Sequence, residues 1–565
     1  MNALAKLACL LTLALTAPLL SQESPVVTAM LEEAGGNLTA LDQIIREHEQ
    51  LLDKYPDSEF AAPLLFQLAE LHYERSQLLF QQQMAEYEQR SAEFTAGKTA
   101  VEPQLPTLDL SRPIALCRRL LNDFPNLSYR DKVVYKLAVA FMDGGDADSS
   151  AEWFGRLIAE FPDSKPALEA HFRLGEYRFD RREFEPAIAH YKLLLNHWDN
   201  PYYSMALYKL GWSYYQLQRY SDAISTFMVL IEDASLTAKL KSSPLGQKTD
   251  LTTEAIHYLA DSFTEFGGPT AAKRFFAPLK DKFYTPPLLQ KMAQLYESRS
   301  DYQQAIDVYR ILLEFYPFAE QAPNYFRSMI GDYEAAEDVA AANRVREEAV
   351  QVFGPGGVWL QHHLQGELRD AGLSLTRENL IYLGTFYQAM AQQTDSLSYY
   401  QRAVDQYQQY VDQFPDQENS GEIHYYLAEC FYAAGDFARA AEAYRQAAER
   451  YPQSTWREKA AFNRIFSAMQ LWKSDEAGAD TLRLAHFLDA ESIVVTGLAR
   501  TDAEVLIACN DFCRMFPQSE LLDQVLMTFG RVLYARRAFL PAVQVYQRVM
   551  NLTPPSPHRS AAAMN

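Results

Sequence analysis

The densest group of metal-ligating side chains in this sequence is His362, His363 and Glu367, in which His363 and Glu367 stand four apart and would share a helix face. A transition-metal centre needs at least a third ligand and a shaped cavity, and none is evident nearby, so the group reads as a polar helix surface. Cys509 and Cys513 are also four apart, a spacing that serves either thiol redox chemistry or packing on one helix face. Paired carboxylates such as Glu32 and Glu33 come with no cleft around them and read as solvated acid. The chain has no phosphate-cradling glycine loop followed by Lys-Ser/Thr, no Gly-x-Ser-x-Gly elbow and no His-Glu-x-x-His. The sequence therefore assigns no catalytic residue, no cofactor-binding residue and no metal site, and the function it points to is not an enzymatic one.

The elements behind these residues are bounded first by composition. The 565 residues exceed the size at which a single core keeps growing, so several domains or a repeat array are required. With 48% hydrophobic and 13% aromatic residues, including 34 Tyr and 32 Phe, the chain folds rather than staying disordered. A formal charge of -21 with no Lys/Arg-rich run excludes a nucleic-acid surface and leaves basic proteins as complementary partners. Lys6 followed by the apolar stretch Leu7 to Leu20 reads as a signal peptide over residues 1–21, with cleavage after Ser21. Export to the periplasm, with peripheral contact to the outer membrane, is the expectation. No later apolar run is long enough to span a bilayer, and Cys9 lies too early to be a lipidation site. The other cysteines, Cys117, Cys430, Cys509 and Cys513, are too dispersed for a disulfide framework.

One template recurs down the chain, most clearly as Leu210, Gly211, Tyr214, Tyr220, Ala223, Phe227. Its spacing places an apolar stripe on each of two antiparallel helices that meet through small residues, at Gly211 on one and Ala223 on the other. Further copies are Leu137, Ala138, Phe141, Phe154; Leu174, Gly175, Phe184, Ala187, Tyr191; Leu259, Ala260, Phe263, Ala272, Phe276; and Met292, Ala293, Tyr296, Tyr302, Ala305, Tyr309. Two more follow much later: Leu427, Ala428, Phe431, Phe437, Ala440, Tyr444 and Phe529, Gly530, Phe539, Ala542, Tyr546, Pro554. Leu137 to Leu174 is 37 residues, Leu174 to Leu210 is 36 and Leu259 to Met292 is 33, bracketing a helix-turn-helix period of about 34. Cys509 falls where Phe or Tyr stands in the second helix of other copies, which favours core packing for that thiol.

These residues resemble the tetratricopeptide repeat family. The resemblance implies an all-α solenoid, a right-handed superhelix of antiparallel helix pairs in two halves, that binds proteins. The recurring aromatic-Pro-polar-Ser stops, as in Tyr55-Pro56-Asp57-Ser58, Phe161-Pro162-Asp163-Ser164 and Tyr451-Pro452-Gln453-Ser454, read as stop, turn and helix cap. They are similar to those of Gram-negative envelope members, such as the lipoprotein subunit of the outer-membrane barrel assembly machine and the coordinator of the Tol-Pal system. The domain reading is a signal peptide 1–21, an N-terminal solenoid 22–353, a breaker 354–359 at Gly354-Pro355-Gly356-Gly357, a C-terminal solenoid 360–554 and a tail 555–565.

Four interruptions depart from the period. Gln77 to Ser111 reads as a helix running on and then a Pro-containing linker; Ser235 to Thr253 is a loop carrying Lys239, Lys241 and Lys248; the Tyr387 to Ala403 spacing predicts a lengthened hairpin. The fourth, Ser474 to Thr501, contains Ser492-Ile493-Val494-Val495-Thr496, which fits a helix extension or a strand.

In this fold first helices line a groove, and the outward-turned offsets select Tyr135, Phe172, Glu176, Phe179, Tyr208, Trp212, Tyr215, Tyr425, Glu429 and Tyr432 as candidate protein-binding residues. Aromatics there serve either helix packing or a partner, and Trp212 is the one packing explains least. The function expected is a non-catalytic interaction scaffold of the bacterial cell envelope with other envelope proteins as partners. The alternatives are a component of a gliding-motility or secretion machine and, further off, a helical-array peptidoglycan-processing enzyme.

Overall fold

The computed structural model describes residues 38–239, 251–472, 480–488, 492–552 and 556–564. The signal-peptide reading, Lys241, Lys248 and Pro554 lie outside the described residues. The chain divides into two compact units, one ending at Met292 and the next beginning at Ala293. The first holds α1 (Leu38–Lys54), α2 (Ala61–Thr95), α3 (Ser111–Asp123), α4 (Arg130–Asp143), α5 (Ala147–Glu160), α6 (Ala167–Asp180), α7 (Phe184–Leu194), α8 (Tyr203–Gln216), α9 (Tyr220–Lys239), α10 (Thr252–Glu265) and α11 (Gly268–Phe276). Helix α12 (Thr285–Ser298) carries the division. The second holds α13 (Tyr302–Phe315), α14 (Ala322–Ala335), α15 (Val339–Phe353), α16 (Val358–His362), α17 (Gly366–Thr394), α18 (Leu397–Gln413), α19 (Ser420–Ala433), α20 (Phe437–Arg450) and α21 (Arg457–Leu471). It continues through β1 (Asp480–Ala485), β2 (Ser492–Leu498), α22 (Arg500–Met515), α23 (Leu522–Ala535), α24 (Phe539–Met550) and α25 (Arg559–Met564). The architecture is a helical solenoid of the tetratricopeptide type with one small two-stranded sheet.

The packing rule inside each hairpin is a ring laid on a small residue. A methyl group built on Gly211 would stand 2.7 Å from the Phe227 ring, and one on Gly175 or Gly530 would stand 2.6 Å from Tyr191 or Tyr546. Paired helices therefore approach as closely as an aromatic edge allows, with Ala187 and Ala223 fully buried on the opposite helix.

The turn inside the hairpin also repeats. A residue at positive φ ends the first helix at Gly145, Arg182, Gln218, Ser300, Glu337, Gly435 and Arg537. The next amide closes a six-to-one bond, as in Arg219 N to Tyr214 O at 2.9 Å and Asp436 N to Phe431 O at 2.9 Å. Asp146, Asp338 and Asp436 then cap the second helix through their carboxylates. The serine of the aromatic-Pro-polar-Ser stops does not cap a helix directly, contrary to the sequence reading. Its backbone closes the turn, as in Ser164 N to Phe161 O at 3.1 Å, and its carbonyl accepts from Ala167 N at 3.0 Å, so the helix starts three residues later.

The interruptions take physical form. Helix α2 runs on for 35 residues before the linker to α3, and the lengthened hairpin is α17, of 29 residues, against α18. Ser492 to Thr496 lies in a strand: β1 and β2 pair antiparallel, with Arg483 opposite Val494. Leu484, Phe487, Val495 and Leu498 are buried, and fully buried Asp502 accepts from Trp472 Nε1 at 2.7 Å, Arg536 Nε at 2.9 Å and Ala499 N at 2.5 Å. The Gly354-Pro355-Gly356-Gly357 run falls within the second unit, between α15 and α16. Past it, fully buried Trp359 packs edge-on against Phe353 at 5.0 Å and donates to Ala319 O at 2.9 Å. The run breaks a helix while packing holds its two sides together. The tail contains helix α25, with Ala562 buried and Ser556 Oγ donating to Asp523 at 2.8 Å.

Two substitutions test these rules. Gly211→Ala forces its methyl into the Phe227 ring and is expected to cost about 1–3 kcal/mol, whereas Gln218→Gly relieves a left-handed side chain and is expected to gain about 1 kcal/mol. Thermal unfolding of the two variants in parallel should move the midpoint in opposite directions.

Candidate functional site

Offsets of minus two, plus two and plus five from the leucine of each repeat span seven residues, two helical turns, and so share one face of the first helix. The structure puts Tyr135 on α4, Phe172, Glu176 and Phe179 on α6, and Tyr208, Trp212 and Tyr215 on α8, all in the first unit. Tyr425, Glu429 and Tyr432 lie on α19 in the second.

Much of this face is occupied by the fold itself. Phe172 is 5% exposed and stacks on Tyr202 at 4.9 Å; Tyr425 is 2% exposed and stacks on Trp456 at 4.7 Å. These two are core residues with almost no surface to offer a partner. Their offset is turned inward because the following repeat supplies a ring that covers it. Glu176 accepts from Tyr191 Oη at 2.5 Å and pairs with Lys209 Nζ at 3.0 Å. Glu429 takes the equivalent Tyr444 hydroxyl and Asn463 Nδ2 at 2.9 Å. Tyr135 Oη donates to Glu169 at 2.6 Å and Tyr215 Oη to Asp261 at 2.5 Å. Burial, with the carboxylates beside them, raises all four tyrosine hydroxyls far above their ordinary range.

The plus-five aromatics staple the hairpin corner. Phe179 meets Phe184 at 5.6 Å, Tyr215 meets Tyr220 at 5.6 Å and Tyr432 meets Phe437 at 5.2 Å, each edge to face. Tyr208 and Trp212 are half-buried, and around them a ladder of rings crosses three hairpins. Phe179 lies 6.3 Å from Trp212, Trp212 lies 4.9 Å from Tyr258, and Tyr258 lies 6.1 Å from Tyr208. Lys209 Nζ sits 4.5 Å from the Phe179 ring centre. The sequence reading missed Tyr258 and Asp261; Tyr258 directly precedes Leu259, and an offset of minus one was not among those taken.

The other chemical candidates resolve into packing. His362 stacks on Phe318 and His363 on Trp359, and the Nδ1 atoms of both lie by the backbone carbonyls of Val358 and Trp359. Cys509 is fully buried, and burial pushes its thiol well above the ordinary value; the Cys513 thiol is pushed up to about 12. Among the described residues no group of three or more His, Cys, Asp or Glu could hold a metal ion, and no helix is long and apolar enough to cross a membrane.

Residues 135–201 and 396–455 match one tetratricopeptide repeat model, and residues 205–235 and 288–319 match another. Within those stretches the sequence is similar to tetratricopeptide repeats. The matched stretches include all ten candidate residues. A search of curated proteins by sequence returned no match. Among solved structures the chain is similar to the Naa15/Naa10 complex bound to HypK-THB, at 14% identity and TM-score 0.30, covering 93% of this chain and 72% of that one. It is also similar to a tetratricopeptide repeat protein from Parabacteroides merdae, at 14% identity and TM-score 0.21, covering 62% of this chain and 99% of that one.

Among the described residues, one buried acid within the repeats leaves an oxygen without a donor. Asp332 on α14 is buried, its Oδ2 has no hydrogen-bond partner, and burial with the charge of Glu297 raises it to about 7. In the same helical position Ser213 and Ser262 satisfy themselves on the carbonyl four residues back. A folded carboxyl that keeps its proton to about pH 7, while the unfolded one loses it near pH 4, makes stability fall as pH rises between those values. Asp332→Asn is expected to stabilise the second unit by about 2 kcal/mol at pH 8 and by much less at pH 4, read from denaturation midpoints at both.

Proposed function

We propose that this chain is a non-catalytic protein-interaction scaffold whose principal docking surface is the ring ladder Phe179, Tyr208, Trp212, Tyr215 and Tyr258 on the first helices of the first unit. The observation that carries the reading is the continuity of those half-buried rings across α6, α8 and α10. The corner staples account for Phe179 and Tyr215, but neither a staple nor a closed core accounts for Trp212, which remains partly open in the middle of the ladder. Rigid rings of this kind gain affinity by burying large area with little entropy to lose, about 1–2 kcal/mol or more apiece when fully desolvated. The Asp261 carboxylate beside them and the formal charge of -21 favour partners with basic surfaces.

The place of action in this proposal is the bacterial envelope, after export to the periplasm, with other envelope proteins as partners. Support for it comes from the apolar N-terminal segment and the aromatic-Pro-polar-Ser stops. A scaffold of a motility or secretion machine would be a particular case of the same activity.

Trp212→Ala and Tyr258→Ala are expected to reduce recovery of crosslinked envelope partners at least fivefold, while Trp198→Ala, an exposed ring outside the ladder, leaves recovery unchanged. Quantitative mass spectrometry of crosslinked complexes, on variants whose helical signal matches the wild type, reads the result. Equal recovery across all three variants would sink the proposal.

A further inference from the structure

Two residues after its leucine, the first helix of a repeat can carry the acid that takes the hydroxyl of the ring filling the hairpin: Glu176 accepts from Tyr191 and Glu429 from Tyr444. In the repeat whose leucine place is Phe529, that position on α23 is Arg531. A guanidinium only donates, so the charge and the hydrogen-bonding sense at this position are both reversed. Among the described residues the exposed Arg531 forms no ion pair and no hydrogen bond.

Arg531 lines a cavity of about 330 Å³ between α21 and α23. Phe462, Phe466 and Met469 on α21 stand at i, i+4 and i+7, and so do Gln524, Thr528 and Arg531 on α23, so each wall is a strip of two turns, about 10 Å long. One wall is apolar and the other is polar with a cation at its end. Phe466 is 47% exposed, with Phe462 and Met469 half-buried beside it. His558 of the tail also lines the cavity, and none of the lining residues is an acid.

An apolar strip left open gains by being covered, and an unpaired guanidinium in a groove is complemented by a carboxylate, which it can bind through two parallel hydrogen bonds. The polar wall also separates a protein segment from a lipid-like anion. An alkyl chain would lie against Gln524 and Thr528 without offering them a hydrogen bond, whereas a peptide brings donors and acceptors along its whole length. We infer that the groove between α21 and α23 docks an acidic amphipathic segment of a partner protein, with its apolar side chains on Phe462, Phe466 and Met469 and a carboxylate on Arg531. This surface stands apart from the ring ladder proposed above: it lies in the second unit and selects the opposite charge.

The test is a selection of short random peptides displayed on phage against the full-length protein, with the affinities of recovered peptides measured by fluorescence anisotropy. Phe466 is exposed and Arg531 unpaired, so their variants are expected to keep the wild-type unfolding midpoint. Peptides recovered on the wild type and lost on Phe466→Ser should combine several apolar residues with Asp or Glu. Arg531→Gln should weaken them at least fivefold, Trp198→Ala should leave them unchanged, and selection on Arg531→Glu should recover Lys or Arg in place of the acid. Recovery of no peptide that depends on Phe466, or of peptides whose charge is indifferent to the residue at 531, would overturn the inference. Self-association abolished by Phe466→Ser would assign the groove to a second copy, and dodecanoate bound more tightly than every peptide would assign it to a small amphiphilic anion. Either result counts equally against a partner segment.

Discussion

The contact on which the structure depends is an aromatic ring lying against a residue without a side chain, or with only a methyl. Where Gly175, Gly211, Gly384 and Gly530 face Tyr191, Phe227, Tyr407 and Tyr546, an added methyl would overlap the ring. The helix separation is therefore set by ring against backbone, the tightest stop available to an aromatic residue. That fixed separation propagates. It holds the corner at a constant length, so a left-handed residue and a six-to-one bond recur in hairpins such as those at Gln218 and Gly435. A ladder of rings reaching from α6 to α10 needs that regularity.

The same close packing explains why so many tyrosines are bound to carboxylates. A ring that fills the hairpin carries its hydroxyl to the edge of the core, where it must find an acceptor or remain unsatisfied at a cost of about 1–3 kcal/mol. Glu176, Glu297 and Glu429 take the hydroxyls of Tyr191, Tyr309 and Tyr444. Part of the chain's acidity is thus internal bookkeeping of hydrogen bonds, and the acids on this face are acceptors before they are ligands. Asp332 shows the converse: an acceptor at a position that elsewhere holds a self-satisfied serine becomes a carboxyl that keeps its proton.

The solenoid was legible because its determinants are local and periodic. Leu210, Gly211, Tyr214 and Ala223 announce two stripes and a close approach, the lengthened α17 announces itself as a spacing excess of whole turns, and the long α2 as a helix that runs on before a Pro-containing linker. The β-hairpin was not decidable, because Ser492 to Thr496 is apolar enough for either element, and what selects the strand is distant: Asn510 holding the Ala485 carbonyl, and Asp502 gathering Trp472 and Arg536. The Gly/Pro run at Gly354 lies inside the unit that begins at Ala293, for a related reason. Glycine and proline report what one stretch of backbone can do, while the division of the chain follows from packing. The offsets of the candidate face follow from helix spacing alone. Spacing could not tell that Phe172 and Tyr425 would be covered by Tyr202 and Trp456 from outside their own helix pair.

What separates a docking residue from a packing residue here is whether the fold already uses all of its surface. Phe172 and Tyr425 are used up; Glu176 and Glu429 have their oxygens engaged; the plus-five rings lock corners. Trp212 is different. It touches Phe179, Tyr215 and Tyr258 by its edges and closes no corner itself, so its neighbours hold it in place without covering it. A side chain immobilised by the fold and left partly open has already lost most of the entropy that binding would cost. That combination, in a repeat whose other large rings are committed, is the physical reason to look for a partner at Trp212 rather than at any of the more exposed aromatics.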